Sequence, residues 1–405
     1  MRVVHERCCG LDVRKRTVVA CVLTPDGQQT RTFGTMTRDL LALSEWLHSL
    51  DISQVAMEST GVFWQPIYNV LEDTGMNVLV ANAHHIKAVP GRKTDVKDAE
   101  WLADLLRHGL IRGSAIPSRA RRELRELVRS RLSLSRQRAQ VAQRIHKVLE
   151  GANLKLSSVV TDIMGVSGRA MLEALITGTD PPAVMAELAH GPLRRKRTQL
   201  VTALEGLVGP NQRRLLTSHL RNLEFLTQEI DRLSAEIEEQ LRSSPDLLER
   251  LDTIPGVGRR VAQAILAEIG TDVSRFPTGS HLASWARVCP SNDESAGKRR
   301  SSHIGPGNPW LRATLVEAAW AATHARRTYL AAQYRRLAAR RGHKRALIAV
   351  AHTILLIADR IIRDGSTYED LGSTYFDERD RRAPVRRSVQ RLERLGYKVT
   401  VGEAA

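Results

Sequence analysis

The residues best suited to chemistry in this chain are acids placed where acids are costly. Asp12 lies in Cys9-Gly10-Leu11-Asp12-Val13, the middle of an apolar run with strand spacing. A carboxylate there is expensive unless it is paired or bound to a metal. Glu58 ends a second apolar run in Ala56-Met57-Glu58-Ser59-Thr60-Gly61. Asp95 and Asp98, in Lys93-Thr94-Asp95-Val96-Lys97-Asp98-Ala99, stand three apart at a helix start and so share one face. Drawn together, four acids repel one another unless a cation joins them, and an all-oxygen donor set suits Mg²⁺ or Mn²⁺. Such a centre activates one oxygen and stabilises another during in-line phosphoryl transfer. Taken singly, Asp95 also reads as a first-turn acid on a helix dipole and Glu58 as a loop-surface residue. His84-His85 sit before the Lys93 segment as loop residues, and Glu72 and Glu100 read as solvated helix positions.

A second group lies in the C-terminal half. Between apolar helical stretches, Val288 to Arg312 is polar and Gly-rich, with Ser291, Ser295, Ser301 and Ser302 around the basic cluster Lys298-Arg299-Arg300. A serine beside those cations has the means to attack a phosphodiester, because they stabilise the pentacoordinate charge. The same segment serves equally as a basic loop that grips phosphate and does no chemistry. Upstream, Ile254-Pro255-Gly256-Val257-Gly258-Arg259-Arg260, followed by a helical run, has the pattern of a helix-hairpin-helix. There Gly256 and Gly258 would let backbone N–H groups approach a phosphate, with Arg259 beside them. A plain tight turn between packed helices gives the same pattern.

Positioning the four acids requires a particular fold. Cys8–Val13, Thr17–Leu23 and Thr30–Thr35 read as an antiparallel meander, and Thr37 as the cap of a helix carrying Leu40, Leu43 and Leu47. A strand at Gln54–Met57, a helix at Phe63–Thr74, a strand at Asn77–Val80 and a helix from Asp95 to His108 follow. This βββ-α-β-α-β-α order is that of an RNase H-like domain, whose first and fourth strands are neighbours. Residues 118–150 contain no Gly or Pro and nine Arg, and read as one helix. From Leu216 to Leu241 apolar residues recur at three- and four-residue steps. This pattern predicts a coiled coil between two chains, with a helix packed inside its own domain as the alternative. The expected architecture is α/β plus all-α. A RuvC/RNase H-like domain spans 1–117, the Arg-rich helix and coiled coil 118–243, an all-helical unit with the serine loop 244–375, and a basic tail 376–405.

Composition narrows the partners. The 405 residues carry a net charge of +17, and 51 of the 61 basic residues are Arg. The guanidinium fork pairs with phosphate bidentately, so nucleic acid is favoured over acidic proteins. At 4%, the aromatic content argues against a base-stacking platform such as a chain of OB-folds. Cys8, Cys9, Cys21 and Cys289 show no zinc spacing and read as small apolar residues of a reducing compartment. No leader opens the sequence and no apolar stretch spans a bilayer, so a cytoplasmic protein without membrane contact is expected.

Taken in order, Gly10-Leu11-Asp12, Glu58-Ser59-Thr60-Gly61, Lys93 to Ala99, Ile254 to Gly258, Glu294 to Arg300 and Gly307-Asn308…Leu311-Arg312 resemble a known family. It is the DEDD transposases of the insertion-sequence family numbered one hundred and ten, and the likeness runs over about residues 8–363. The resemblance implies a RuvC-like domain whose DEDD acids are Asp12, Glu58, Asp95 and Asp98, and a C-terminal domain whose nucleophile is Ser295. It implies a serine recombinase acting on donor and target DNA, guided by a structured bridge RNA and working as homodimers that pair into tetramers, in a bacterial cytoplasm. The family's Gly after the basic cluster is here Ser301-Ser302-His303, which keeps Ser291, Ser301 and Ser302 as alternative nucleophiles. Two other functions fit the residues. One is a metal-dependent junction endonuclease that uses water; the other is a nucleic-acid-binding scaffold without catalysis.

Overall fold

In the computed structural model the described residues are 2–59, 61–82, 97–290, 293–295, 298–301, 304–305, 307–379 and 389–400. They form two compact units, Met1–Ser118 and Arg119–Ala405.

The first unit is built on strands β1 (Cys8–Val13), β2 (Thr17–Thr24), β3 (Gly27–Gly34), β4 (Gln54–Glu58) and β5 (Asn77–Ala81), with helices α1 (Thr37–Ser49), α2 (Trp64–Leu71) and α3 (Lys97–Arg107). Strand order is β3-β2-β1-β4-β5. The meander is antiparallel, and β1, β4 and β5 run parallel. This is the RNase H-like arrangement expected from the sequence. Strand alternation explains it: Cys9, Leu11 and Val13 pack on one face with Leu43 and Leu47 of α1 and Ile67 and Leu71 of α2. On the other face Cys8 and Ala56 meet Ala99, Ala103 and Leu106 of α3. Covered on both sides, β1 and β4 read as apolar runs, whereas β3 is mostly exposed and its start is hard to see in sequence. Thr37 opens α1 as its first residue, and the cap position is Met36.

Gly10 is what lets α3 lie on β1. A Cβ there would come within 2.3 Å of the Ala99 carbonyl and 2.4 Å of the Ala103 nitrogen. Since both are helix backbone, the helix itself must shift. Gly10→Ala is expected to lower stability by about 1–3 kcal/mol, the range for overpacking a close contact, seen as a reduced thermal midpoint. An unchanged midpoint would contradict this packing. The three meander cysteines are buried, and burial pushes the Cys8 thiol up to about 11; Cys289 is partly exposed.

The second unit is arranged along two long helices, α4 (Arg119–Gly151) and α9 (Pro210–Gln240). They run antiparallel: Ile237 shares a core with Leu124 and Val128, while Leu216, Leu220, Leu223 and Leu226 share one with Val141, Ile145 and Leu149. The heptad stripe is therefore buried inside one chain, with Ile230 and Ile237 fully covered. The seam expected between two chains is closed by the chain's own α4, because the spacing specifies a stripe to be buried and not the partner that buries it. Helices α5 (Leu156–Val159), α6 (Val166–Thr177), α7 (Pro182–Glu187) and α8 (Arg197–Leu204) fill one end of this pair. At the other end come α10 (Pro245–Asp252), α11 (Arg259–Ile269), α12 (Gly279–Ala286), strands β6 (Asp293–Ser295) and β7 (Lys298–Ser301), α13 (Pro309–His324), α14 (Tyr329–Arg341), α15 (His343–Asp364) and α16 (Tyr375–Arg379). The β6–β7 hairpin corrects the expectation of an all-helical unit with an irregular serine loop. Strands of three and four polar residues carry no alternation by which to recognise them. Among the described residues, no helix is long and apolar enough to cross a membrane.

Candidate active site

Backbone register sets three of the four acids on one face of the sheet and toward one end of it. Gly10 faces α3, so Asp12, two residues on, lies on the same side of the sheet. Ala56 also faces α3, which puts Glu58 on that side. Leu11 pairs with Met57, so Asp12 and Glu58 each stand one step further along adjacent strands. The Arg107 carbonyl of α3 accepts from the Val4 and His5 backbones just before β1. The helix thus runs opposite to β1, and its first turn, with Asp98, lies at the end of the strands where Asp12 and Glu58 stand. One Asp98 carboxylate oxygen is buried. Asp95 and Lys93 fall outside the described residues, as do His84-His85.

Arg14 Nε donates to Asp12 Oδ2 at 3.0 Å, an ion pair in which the guanidinium is the carboxylate's counter-charge. Among the described residues, no three His, Cys, Asp or Glu side chains approach closely enough to hold a metal. The donor chemistry nonetheless fits Mg²⁺ or Mn²⁺, since every acid offers oxygen and none of the cluster is Cys or His. Glu100 is engaged elsewhere, accepting from Gln28 Nε2 at 3.0 Å, in keeping with a solvated helix position.

In the second unit Ser295 is the last residue of β6, with Lys298 as its cross-strand partner. The two are separated in sequence only by Ala296-Gly297, which lie outside the described residues. Arg299 pairs with Glu294, Arg300 lies between Arg299 and Ser301 in β7, and Ser301 pairs with Asp293. Ser291 and Ser302 lie outside the described residues.

The glycines of the turn between α10 and α11 have separate duties. Gly256 has a φ of +86°, and a Cβ there would come within 2.2 Å of the Ala318 carbonyl on α13. Its missing side chain serves helix packing and the turn. Gly258 is the residue with open space before it, at the N-terminus of α11. Arg259 forms a two-nitrogen ion pair with Glu238 on α9, so part of its capacity is spent inside the protein.

Sequence reasoning missed the group that fixes the far end of the serine segment. Glu268 on α11 is 2% exposed. It accepts from Arg129 at 2.7 and 2.9 Å, forms an ion pair with Arg125 at 3.2 Å, and accepts from Asn308 Nδ2 at 2.5 Å. Asn308 in turn caps α13, its Oδ1 accepting from the Trp310 and Leu311 backbones at 3.1 Å each. Arg129 and Arg136 lie over the Trp310 ring, 5.8 and 5.2 Å from its centroid. Arg131, 2% exposed, donates to Gln263 at 2.6 Å, and burial lowers its pKa to about 10. The signal was available: Glu268 is an acid in an apolar run, as Asp12 is. Glu268→Ala would leave Arg125 and Arg129 beside one another without their counter-charge and is expected to cost about 3–5 kcal/mol, as for a broken buried pair. A denaturation midpoint equal to that of the parent protein would refute the network's role.

Two family models match this chain. One of DEDD transposases of the IS110 type, described as "Transposase", matches residues 9–154. The second, described as "Transposase IS116/IS110/IS902 family", matches residues 248–335. Together they cover more than half of the sequence. Among curated relatives, an insertion element IS110 uncharacterized 43.6 kDa protein of Streptomyces coelicolor is 35% identical over 142 residues, 34% of each chain. A pilin gene-inverting protein of Moraxella bovis is 28% identical over 154 residues, 36% of this chain and 48% of that one. A mini-circle putative transposase for IS117 of Streptomyces coelicolor is 26% identical over 269 residues, 59% of this chain and 65% of that one. These matches thus span between a third and just under two thirds of the relatives' lengths. A solved structure, T. thermophilus RuvC in complex with Holliday junction substrate, aligns over 27% of this chain at 12% identity and a TM-score of 0.21, too low to carry an argument.

Proposed function

Because the chain belongs to the IS110 family of DEDD transposases, we propose that it cuts and rejoins DNA by phosphoryl transfer to a serine. One observation carries the reading: Asp12, Glu58 and the first turn of α3 lie toward one end and on one face of an RNase H-like sheet. Asp12, Glu58, Asp95 and Asp98 are the residues that would hold the cation, which when bound neutralises charge on the transferring phosphate. Ser295 is the nucleophile. Its hydroxyl gives up a proton, the Oγ–P bond forms, and the bond from phosphorus to the leaving sugar oxygen breaks. That sugar oxygen, protonated on departure, is later the attacking group on the phosphoserine. Rejoining then restores a phosphodiester without any energy source. Lys298, Arg299 and Arg300 supply positive charge for the phosphorane, and Lys93, Gly258 and Arg259 contact the nucleic-acid backbone.

The substrates in this reading are donor and target DNA, chosen by pairing with a bridge RNA, and the working form is a dimer that pairs into a tetramer. The charge of +17 and the Arg-rich α4 support a nucleic-acid partner. With α9's apolar stripe buried within the chain, assembly would have to use other surfaces. Binding to DNA should weaken steeply with salt, because each neutralised phosphate releases counter-ions. RNA guidance adds a sharper outcome: one structured RNA stays bound, against competitor RNA, at salt that removes random duplex DNA. Sequencing the RNA that co-purifies with the protein tests this. Displacement of every nucleic acid at the same salt would leave only a sequence-blind basic surface.

A further inference from the structure

The second unit contains a cavity of about 700 Å³ that none of the chemistry above uses. It lies between α14, α15 and the two roots of the β6–β7 hairpin, Val288-Cys289-Pro290 leading in and Ile304 leading out. Three kinds of residue line it. Arg341, Lys344 and Arg345 are exposed. Ile304, Ile348 and Ala349 are half-buried and make apolar walls. The third kind is polar: Gln333, His352 and Thr353, also half-buried.

The polar groups are incompletely used. Gln333 Nε2 donates to Thr353 Oγ1 at 2.9 Å, and the Thr353 hydroxyl donates to the Ala349 carbonyl at 3.1 Å. Among the described residues Gln333 Oε1 is left buried with no hydrogen-bond partner, an acceptor that lacks a donor. His352 makes no side-chain hydrogen bond among the described residues, and burial holds its pKa below the ordinary value. As a neutral ring it offers one donor and one acceptor.

Exposed cations, apolar side chains and incompletely used hydrogen-bonding groups around one cavity together match a nucleotide. Inorganic phosphate has no need of the walls, and an apolar ligand none of the cations. We propose that this cavity takes one unstacked nucleotide of the DNA strand held beside the hairpin. Its base would lie between Ile304 and Ile348, its edge toward Gln333 and His352, and its phosphate on Arg341, Lys344 and Arg345. Enzymes that work on DNA obtain such a base by extruding it from the stack, at least cost where pairing is already lost. The assignment rests on the reading of DNA as substrate.

The test compares the full-length protein on two duplexes of one sequence, one fully paired and one with a short unpaired bulge containing 2-aminopurine. The parent protein should bind the bulged duplex about tenfold more tightly and shield the 2-aminopurine from acrylamide quenching. Ala349→Trp, which fills the cavity, should lose both effects while keeping its affinity for the paired duplex and its thermal midpoint. The exposed double variant Lys344→Glu/Arg345→Glu, which leaves the walls untouched, should lose the bulge preference too. Equal binding of both duplexes by the parent protein, or shielding that survives in both variants, overturns the pocket while the DNA reading stands. Absence of binding to the paired duplex overturns the DNA reading, and the pocket with it. Tighter binding of the same bulge made in RNA overturns the assignment to a DNA strand.

Discussion

Asp12→Asn is expected to leave the protein folded and to reduce strand cleavage by about three orders of magnitude or more, the kinetic equivalent of losing several kcal/mol of charge stabilisation. The substitution keeps the size and shape of the side chain and removes its charge. What it gives up structurally is the contact with Arg14, whose side chain is half exposed. Pairs of that kind contribute at most about 1 kcal/mol, so the thermal midpoint should move little. Glu58→Gln and Asp98→Asn should behave alike, because each leaves the cluster one anionic oxygen donor short. Chelation by EDTA should reproduce all three losses in the parent protein, and added Mg²⁺ or Mn²⁺ should reverse them. Cleavage undiminished in EDTA would remove the metal from the account.

Ser295→Ala should be at least as severe, with strand exchange falling by about 10⁴-fold or more, as when a covalent nucleophile is removed. Nucleic-acid binding should persist, since Lys298, Arg299 and Arg300 are untouched. The position also suits a nucleophile: Ser295 pairs with Lys298 across the two strands. Ser301, at the other end of the hairpin opposite Asp293, is the control. Ser301→Ala should retain exchange; if it fails and Ser295→Ala does not, the nucleophile lies at the hairpin's base.

Much of the first unit was legible because burial on both faces writes itself into sequence. Cys8–Val13 and Gln54–Glu58 are apolar runs broken by one acid each, and the expense of a buried charge is enough to single out Asp12. Gly10 is informative for the opposite reason: only a residue without Cβ admits α3 so close. The second unit was less legible where a pattern has more than one physical solution. Leucine spacing along α9 requires a hydrophobic partner, and α4 of the same chain meets the requirement as well as a second chain would. Likewise Gly256 has the sequence context of a phosphate turn, while its actual neighbour is the Ala318 carbonyl. The Glu268 cluster shows the cost of reading acids only where a motif is suspected. A carboxylate in Val261–Ile269 carries the same warning as Asp12, and it anchors Asn308 at the end of the serine segment.

Trapping the intermediate tests the central claim most directly. A nicked substrate that releases a short strand after cleavage prevents rejoining, so a covalent intermediate accumulates and can be digested and located by mass spectrometry. The account predicts a phosphodiester link on Ser295, formed by the parent protein and absent from both Asp12→Asn and Ser295→Ala. Cleaved strands with free ends and no adduct would contradict it and identify a nuclease that uses water.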